Sequence, residues 1–333
     1  MAVFPTSRPA SLVSSCTRNM HKYPHRVVSN RPLRQLWNSK IFQLQRELSS
    51  RKRLKDCFMN IDCSDYQKLY VEGGGFRQKD EAMEKAVKCQ KKKLSYLPLS
   101  VTVAFSNKCM NKCYHCLNSS GTREKGLIKR HKQELIEEFI PQAHYIEFTG
   151  GEPLLNSRQE IGKIIKANPD KKYRISTNGI LLDELGYDEI FDKTIFVVSL
   201  YGFDNSSYRR ITGRDNFSRV YKSLINLIKR GYGSKIFIKY VVYKEAVSGL
   251  GRFCGFVKEH PSLKGVTIIS DASSGFSVYP AMQEMEKIYK EDIFNWVYCG
   301  SSLRHRVANR FFDPLYCLRW QWAVWSCRRQ NNN

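Results

Sequence analysis

Three thiols stand within eight residues, in the run Cys109-Met-Asn-Lys-Cys113-Tyr-His-Cys116. Soft thiolates at this spacing select zinc or an iron-sulfur cluster. A four-iron cluster usually takes four cysteines, and the local fourth is missing here. Three protein ligands leave one iron open, and an open metal position is where chemistry rather than scaffolding occurs. The same residues allow a Cys3His zinc site that recruits His115. Eleven cysteines in 333 residues, without a clear secretory signal, point to metal binding or a reduced compartment rather than a disulfide framework.

Other segments offer hydrogen-bonding groups. Gly150 and Gly151 free the backbone to turn sharply and approach a ligand, with carbonyls able to accept from an ammonium and Glu152 and Pro153 following. Such a turn is otherwise ordinary loop chemistry. Ser176, Asn178 and Ser199 lie at or just after strand ends and carry hydroxyl and amide groups suited to ribose or carboxylate, with turn formation as the plainer role. Arg210 could pair with a ligand carboxylate, in competition with Arg209 and Arg214. Near the end, Cys299, Cys317 and Cys327 recur with 17 and then 9 residues between them, around Trp320, Trp322 and Trp325. These three thiols read either as ligands or as buried apolar residues. Cys57 and Cys63 are the one further pair with a claim to metal.

Positioning these groups falls to an alternation of short apolar runs and amphipathic stretches from about residue 100 onward, the mark of strand-helix units and a mostly parallel sheet. Strands are expected at 101–105, 145–149, 173–176, 195–200, 236–242 and 266–269, each rich in β-branched or aromatic residues. Leu135, Ile136, Phe139 and Ile140, and Val220, Leu224, Leu227 and Ile228, give the helical spacing between them. The expected organisation is a basic flexible arm over 1–46, a partly helical extension over 47–97 with a helix near 80–90, an α/β core over 98–275, and a small Cys-rich region over 276–333 whose helix carries Met282, Met285 and Ile288. The arm has no Asp or Glu, so organellar targeting competes with a cytoplasmic location. The net charge of +24 favours phosphate, acidic peptide or anionic lipid without choosing among them. No apolar run approaches membrane-spanning length, so no span is expected.

The run Cys-x3-Cys-x-aromatic-Cys after a first strand resembles the signature of the radical S-adenosylmethionine (SAM) superfamily. Phe148-Thr-Gly-Gly-Glu-Pro153 resembles that family's second-strand motif, Ser176-Thr-Asn-Gly179 its third-strand segment, and Ser199-Leu-Tyr-Gly202 with Arg209, Arg210 and Thr212-Gly213 its fourth-strand region. The likeness covers roughly residues 98 to 270. Asn111 sits third in the loop and His115 takes the aromatic place, departures that remove no ligand. The resemblance implies a partial (β/α)6 TIM-like barrel. It implies a [4Fe-4S] cluster on Cys109, Cys113 and Cys116, whose open iron is chelated by the methionine part of SAM. Reductive cleavage then leaves a 5′-deoxyadenosyl radical that abstracts hydrogen. By the same resemblance His115 lies beside adenine, and Gly150, Gly151, Glu152, Pro153, Ser176, Asn178, Ser199 and Arg210 contact SAM.

The tail is similar to a shortened auxiliary-cluster region of SPASM or twitch type, which implies a second iron-sulfur cluster on Cys299, Cys317 and Cys327. The expected activity is modification of a peptide or protein, with flavodoxin or ferredoxin as electron donor. Radical modification of RNA is the alternative that the charge suggests, and a non-catalytic zinc or iron-sulfur protein is the third. A molybdenum-cofactor-type GTP cyclase fits less well, because the triad lies far from the start and the tail lacks a terminal Gly-Gly.

Overall fold

The structure, a computed structural model, describes residues 1–5, 11–14, 26–44, 93–116, 126–185, 192–270 and 297–299. The chain divides into two compact units, Met1–Met110 with Leu117–Ser176 and Tyr187–Thr194, and Asn111–Cys116 with Thr177–Gly186 and Ile195–Asn333.

In the first unit, strands β1 (Ala2–Pro5), β2 (Ser11–Ser14) and β3 (Arg26–Ser29) precede helix α1 (Leu33–Trp37) and strand β4 (Ser100–Val103). Helix α2 (Lys129–Glu134) runs into a π-helical turn over Leu135–Phe139. Strand β5 (Tyr145–Phe148), helices α3 (Pro153–Asn156) and α4 (Arg158–Ala167) and strand β6 (Lys172–Thr177) follow. β4, β5 and β6 are parallel, with Val103 opposite Phe148 and Phe148 opposite Ile175. Alternate residues of these strands, Ile146, Phe148, Tyr173 and Ile175, are buried. α4 buries Ile161, Ile164 and Ile165, a stripe at helical spacing.

In the second unit, strand β7 (Thr194–Leu200), helices α5 (Asn205–Thr212) and α6 (Phe217–Lys229), strand β8 (Ile236–Val242), helix α7 (Leu250–Glu259) and strands β9 (Gly265–Ser270) and β10 (Val297–Cys299) occur in that order. β7, β8, β9 and β10 pair in parallel in sequence order. The strands β4 to β6 of the first unit and β7 to β9 of the second alternate with helices, which is the strand set of a partial (β/α)6 barrel. All six lie within two residues of the sequence expectations.

Within 1–46 the described residues include β1, β2, β3 and α1. β1 pairs antiparallel with β2, β2 with β3, and β1 lies parallel to β4. The reason is apolar burial: Val3 and Val13 are fully buried within an otherwise basic, serine-rich stretch. The Cys-rich region is described only at Val297–Cys299, where it extends the sheet beside β9. The expected helices near 80–90 and around Met282, and Cys16, Cys57, Cys63, Cys89, Cys317 and Cys327, lie outside the described residues. Among the described residues, no helix is long and apolar enough to cross a membrane.

Candidate functional site

After β4 the chain runs directly to Cys109, and the turn after β5 is laid against it. Thr149 N–H donates to the Val103 carbonyl at 2.9 Å, Gly151 N–H to Ser106 at 3.0 Å and Glu152 N–H to Lys108 at 2.7 Å. Gly150 has φ +128°, and a Cβ built on Gly151 would stand 2.2 Å from the Lys108 carbonyl oxygen and 2.3 Å from that of Asn107. Backbone lies on backbone here, so only glycine fits. The two glycines therefore hold the approach to the first cysteine in place. Glu152, 2% exposed, accepts from the Leu154 N–H at 3.2 Å and caps α3, with Pro153 as its first residue.

Ser176, on β6, donates to Glu147 Oε1 at 2.8 Å, and Arg174 Nε lies 3.4 Å from the same oxygen. Glu147 and Arg174 face each other across β5 and β6. Both escaped the sequence expectations. The available signal was a charge at a half-buried position between buried neighbours, Glu147 between Ile146 and Phe148.

In the second unit, residues 111–116 rest on the C-terminal end of α5. Lys112 N–H donates to the Thr212 carbonyl at 2.8 Å and Tyr114 N–H to that of Ile211 at 3.3 Å. Gly213, at φ +66°, ends the helix, and a Cβ there would come within 3.0 Å of the Lys112 carbonyl oxygen. Asn111 is 1% exposed, donates to Tyr208 Oη at 3.4 Å and accepts from Asn216 Nδ2 at 3.1 Å. Cys116 N–H donates to the Cys113 carbonyl at 3.1 Å, closing a tight turn that carries both thiols.

His115, between them, is walled by aromatic rings. Tyr243 stacks on it at 4.7 Å between centroids and 29° between planes, Tyr201 lies at 4.8 Å and 49°, and Tyr114 meets it edge-on at 5.5 Å. Tyr201 and Tyr243 are the residues immediately after β7 and β8. In the sequence Tyr201 stands out only as a letter of the fourth-strand motif, and Tyr243 does not stand out at all.

The remaining candidates are placed separately. Asn178 accepts from the Ile180 N–H at 3.0 Å and shapes the turn after β6. Ser199, half-buried, lies opposite Lys239 on β8. Arg210 is exposed and lines an open depression of about 500 Å³ with Asn205, Ser206, Arg209 and Asp215. Asp204 caps α5 by accepting from the Ser207 N–H at 2.7 Å. Burial would raise its pKa, but the Ser207 hydrogen bond and the nearby Arg252, 2.6 Å away, hold the carboxyl below its ordinary value.

Cys109, Cys113 and Cys116 are half-buried and none is joined in a disulfide. Among the described residues, no three His, Cys, Asp or Glu side chains converge on a single ion. By residue chemistry the donor set is of the kind an iron-sulfur cluster takes: three soft thiolates on eight consecutive residues, each able to take a different iron.

The model of the Radical SAM superfamily matches residues 103–245. The region matched runs from the end of β4 past Tyr243 and takes in the cysteine loop and the Gly-Gly-Glu-Pro turn. Among similar proteins, a probable GTP 3',8-cyclase of Sulfurisphaera tokodaii is 24% identical over 65% of this chain and 74% of its own length. The mycofactocin maturase MftC of Mycobacterium ulcerans is 26% identical over 55% of this chain. The chain thus spans most of the cyclase but 50% of the maturase. Two solved structures are similar: anSMEcpe with bound AdoMet, at TM-score 0.49 and 20% identity over 60% of this chain and 62% of that one, and Streptococcus suis SuiB bound to S-adenosylmethionine, at 0.48 and 15% over 77% and 64%. The cyclase and the maturase that this chain resembles are enzymes by name.

Proposed function

We propose that this chain is a radical SAM enzyme that cleaves S-adenosylmethionine at a [4Fe-4S] cluster held by Cys109, Cys113 and Cys116, and that it modifies a peptide or protein. The observation that carries the reading is the cysteine loop itself, three thiols at family spacing on a backbone fixed by the Gly150-Gly151 turn and by the end of α5. A cluster held by these three cysteines would supply the electron for reductive cleavage of SAM.

The protein's own share is to bind and orient. Gly150 and Gly151 fix the stretch before Cys109, and the Asn111 hydrogen bonds fix the stretch before Cys113. The rings around His115 pack beside the turn between Cys113 and Cys116. Gly150, Gly151, Glu152, Pro153, Ser176, Asn178, Ser199 and Arg210 remain the candidate SAM contacts, with Ser176 and Asn178 already engaged in bonds within the protein. Cys299, with Cys317 and Cys327, is the candidate ligand set of a second cluster.

Peptide or protein modification is supported by the maturase relatives. A second reading, a GTP cyclase, is favoured by the coverage of the Sulfurisphaera tokodaii protein. Anaerobic reconstitution followed by assay of 5′-deoxyadenosine from SAM with dithionite tests the common step. The parent is expected to form it and Cys113→Ala to form none; equal product from both would sink the assignment. Addition of GTP then separates the two substrates, because a cyclase converts it and a peptide-modifying enzyme leaves it intact.

A further inference from the structure

We infer that Tyr243 is a positioning residue for the cysteine loop: its ring, stacked on His115, sets the turn that carries Cys113 and Cys116, with Tyr201 as the second wall. The inference rests on the cluster reading above and goes beyond it, because it concerns a side chain outside the loop and outside the motifs.

The geometry is specific. Tyr243 is 4% exposed and follows β8 directly, and its carbonyl accepts from the Ala246 N–H at 2.9 Å, so its backbone is held both by the end of a strand and by the turn that follows. The His115 ring is nearly parallel to it, at 4.7 Å and 29°. Tyr201, held by the end of β7, is 6.3 Å from Tyr243 and 4.8 Å from His115, so the imidazole is gripped by rings from two strand ends. Tyr114 meets both His115 and Tyr243 edge-on and is 58% exposed, closing the outer side. Aromatic pairs prefer these offset and edge-on arrangements.

What the stack fixes follows from the chain. His115 stands one residue from Cys116 and two from Cys113, and the Cys116 N–H to Cys113 carbonyl bond makes the segment one rigid turn. Backbone bonds from Lys112 and Tyr114 to the end of α5 fix where the turn sits, and the ring contacts of His115 act on its far side. A thiol turned away from its iron weakens cluster binding, and the polarity and wetness of the thiolates' surroundings tune the cluster electronically. Tyr243 therefore acts through His115 and touches no reacting atom.

The test uses the full chain, reconstituted without oxygen, with iron and acid-labile sulfide counted per chain and the reduced cluster examined by electron paramagnetic resonance. Tyr243→Leu, which keeps bulk and removes the ring, is expected to lower cluster occupancy at limiting iron roughly 10-fold and to alter the resonance. Tyr243→Phe keeps the stack and is expected to load like the parent with the parent's spectrum, a rescue that generic core damage would not predict. If circular dichroism shows Tyr243→Leu unfolded, His115→Leu, at a half-exposed position, decides in its place, with the same loss expected beside a His115→Phe that retains a ring. A parent that loads while the leucine variant loads equally, with an unchanged spectrum, overturns this inference alone. A parent that takes up no iron overturns the cluster reading and this inference with it.

Discussion

The glycines of the Gly-Gly-Glu-Pro turn separate two demands that sequence alone merges, freedom of φ and absence of a side chain. Gly151 has no unusual φ among those recorded, yet a Cβ there would stand 2.2 Å from the carbonyl oxygen of Lys108. Gly151→Ala must therefore push the cysteine approach away from β5, at a cost of about 1–3 kcal/mol. Gly255, inside α7, has nothing within 4 Å of the place a methyl group would take and no positive φ, so Gly255→Ala should stabilise by about 0.5–1 kcal/mol through helix propensity. Urea unfolding of the two variants checks both signs, and Gly151→Ala should also load less iron while Gly255→Ala loads as the parent does. The thiols and the double glycine were legible in the sequence because rare residue types stood at fixed spacing. Tyr243 and Glu147 were not, since one aromatic or one acid in an alternating strand pattern reads as ordinary, and their partners His115 and Ser176 are 128 and 29 positions away.

At the scale of elements, the strands after residue 100 were legible because each combines β-branched composition with strand length, and sheet and helix periods switch cleanly between them. The π-helical turn at Leu135–Phe139 was not, because it depends on a shift of hydrogen-bond partners that no residue type announces. Nor was the latch between the α1 segment and α2. His131, fully buried on α2, is in contact with the Arg31 carbonyl at 2.7 Å, Leu33 N–H donates to the Glu134 carboxylate, and Arg130 donates to the Asn30 carbonyl at 3.3 Å.

Burial of the His131 ring lowers its pKa from the ordinary 6.5, outweighing the Arg31 carbonyl and the Glu134 charge, which raise it, while Arg130 adds to the lowering. The folded state thus binds this proton less readily than the unfolded chain does. The resulting stability is complete above the unfolded pKa and is lost as pH falls through the folded one. The parent's melting temperature is expected to fall between about pH 7.5 and about pH 5, and His131→Gln, which still donates to the Arg31 carbonyl, to show a smaller fall. Parallel pH profiles of equal slope would remove His131 as the source.

At the scale of the whole molecule, a basic charge of +24 gave no sign of the strands β1, β2 and β3, because arginines and serines are prominent in that stretch while Val3 and Val13 are fully buried. β1 lies beside β4, with Val3 opposite Val103, on the strand from which the chain runs to Cys109. β1 is therefore coupled to the cysteine loop through its pairing with β4, and damage to it should be read out at the metal as well as in stability. A carboxylate at Val3, 0% exposed, would be taken out of water, whereas one at Val28, 49% exposed on β3, stays in it. Val3→Asp is expected to lower the unfolding free energy by about 2–3 kcal/mol and Val28→Asp by less than about 0.5 kcal/mol. Denaturant titration measures both, and iron loading should fall in the first variant alone. An unchanged midpoint for Val3→Asp would mean that β1 contributes nothing to holding β4, and that the cysteine loop depends on the Gly150-Gly151 turn and the end of α5 without it.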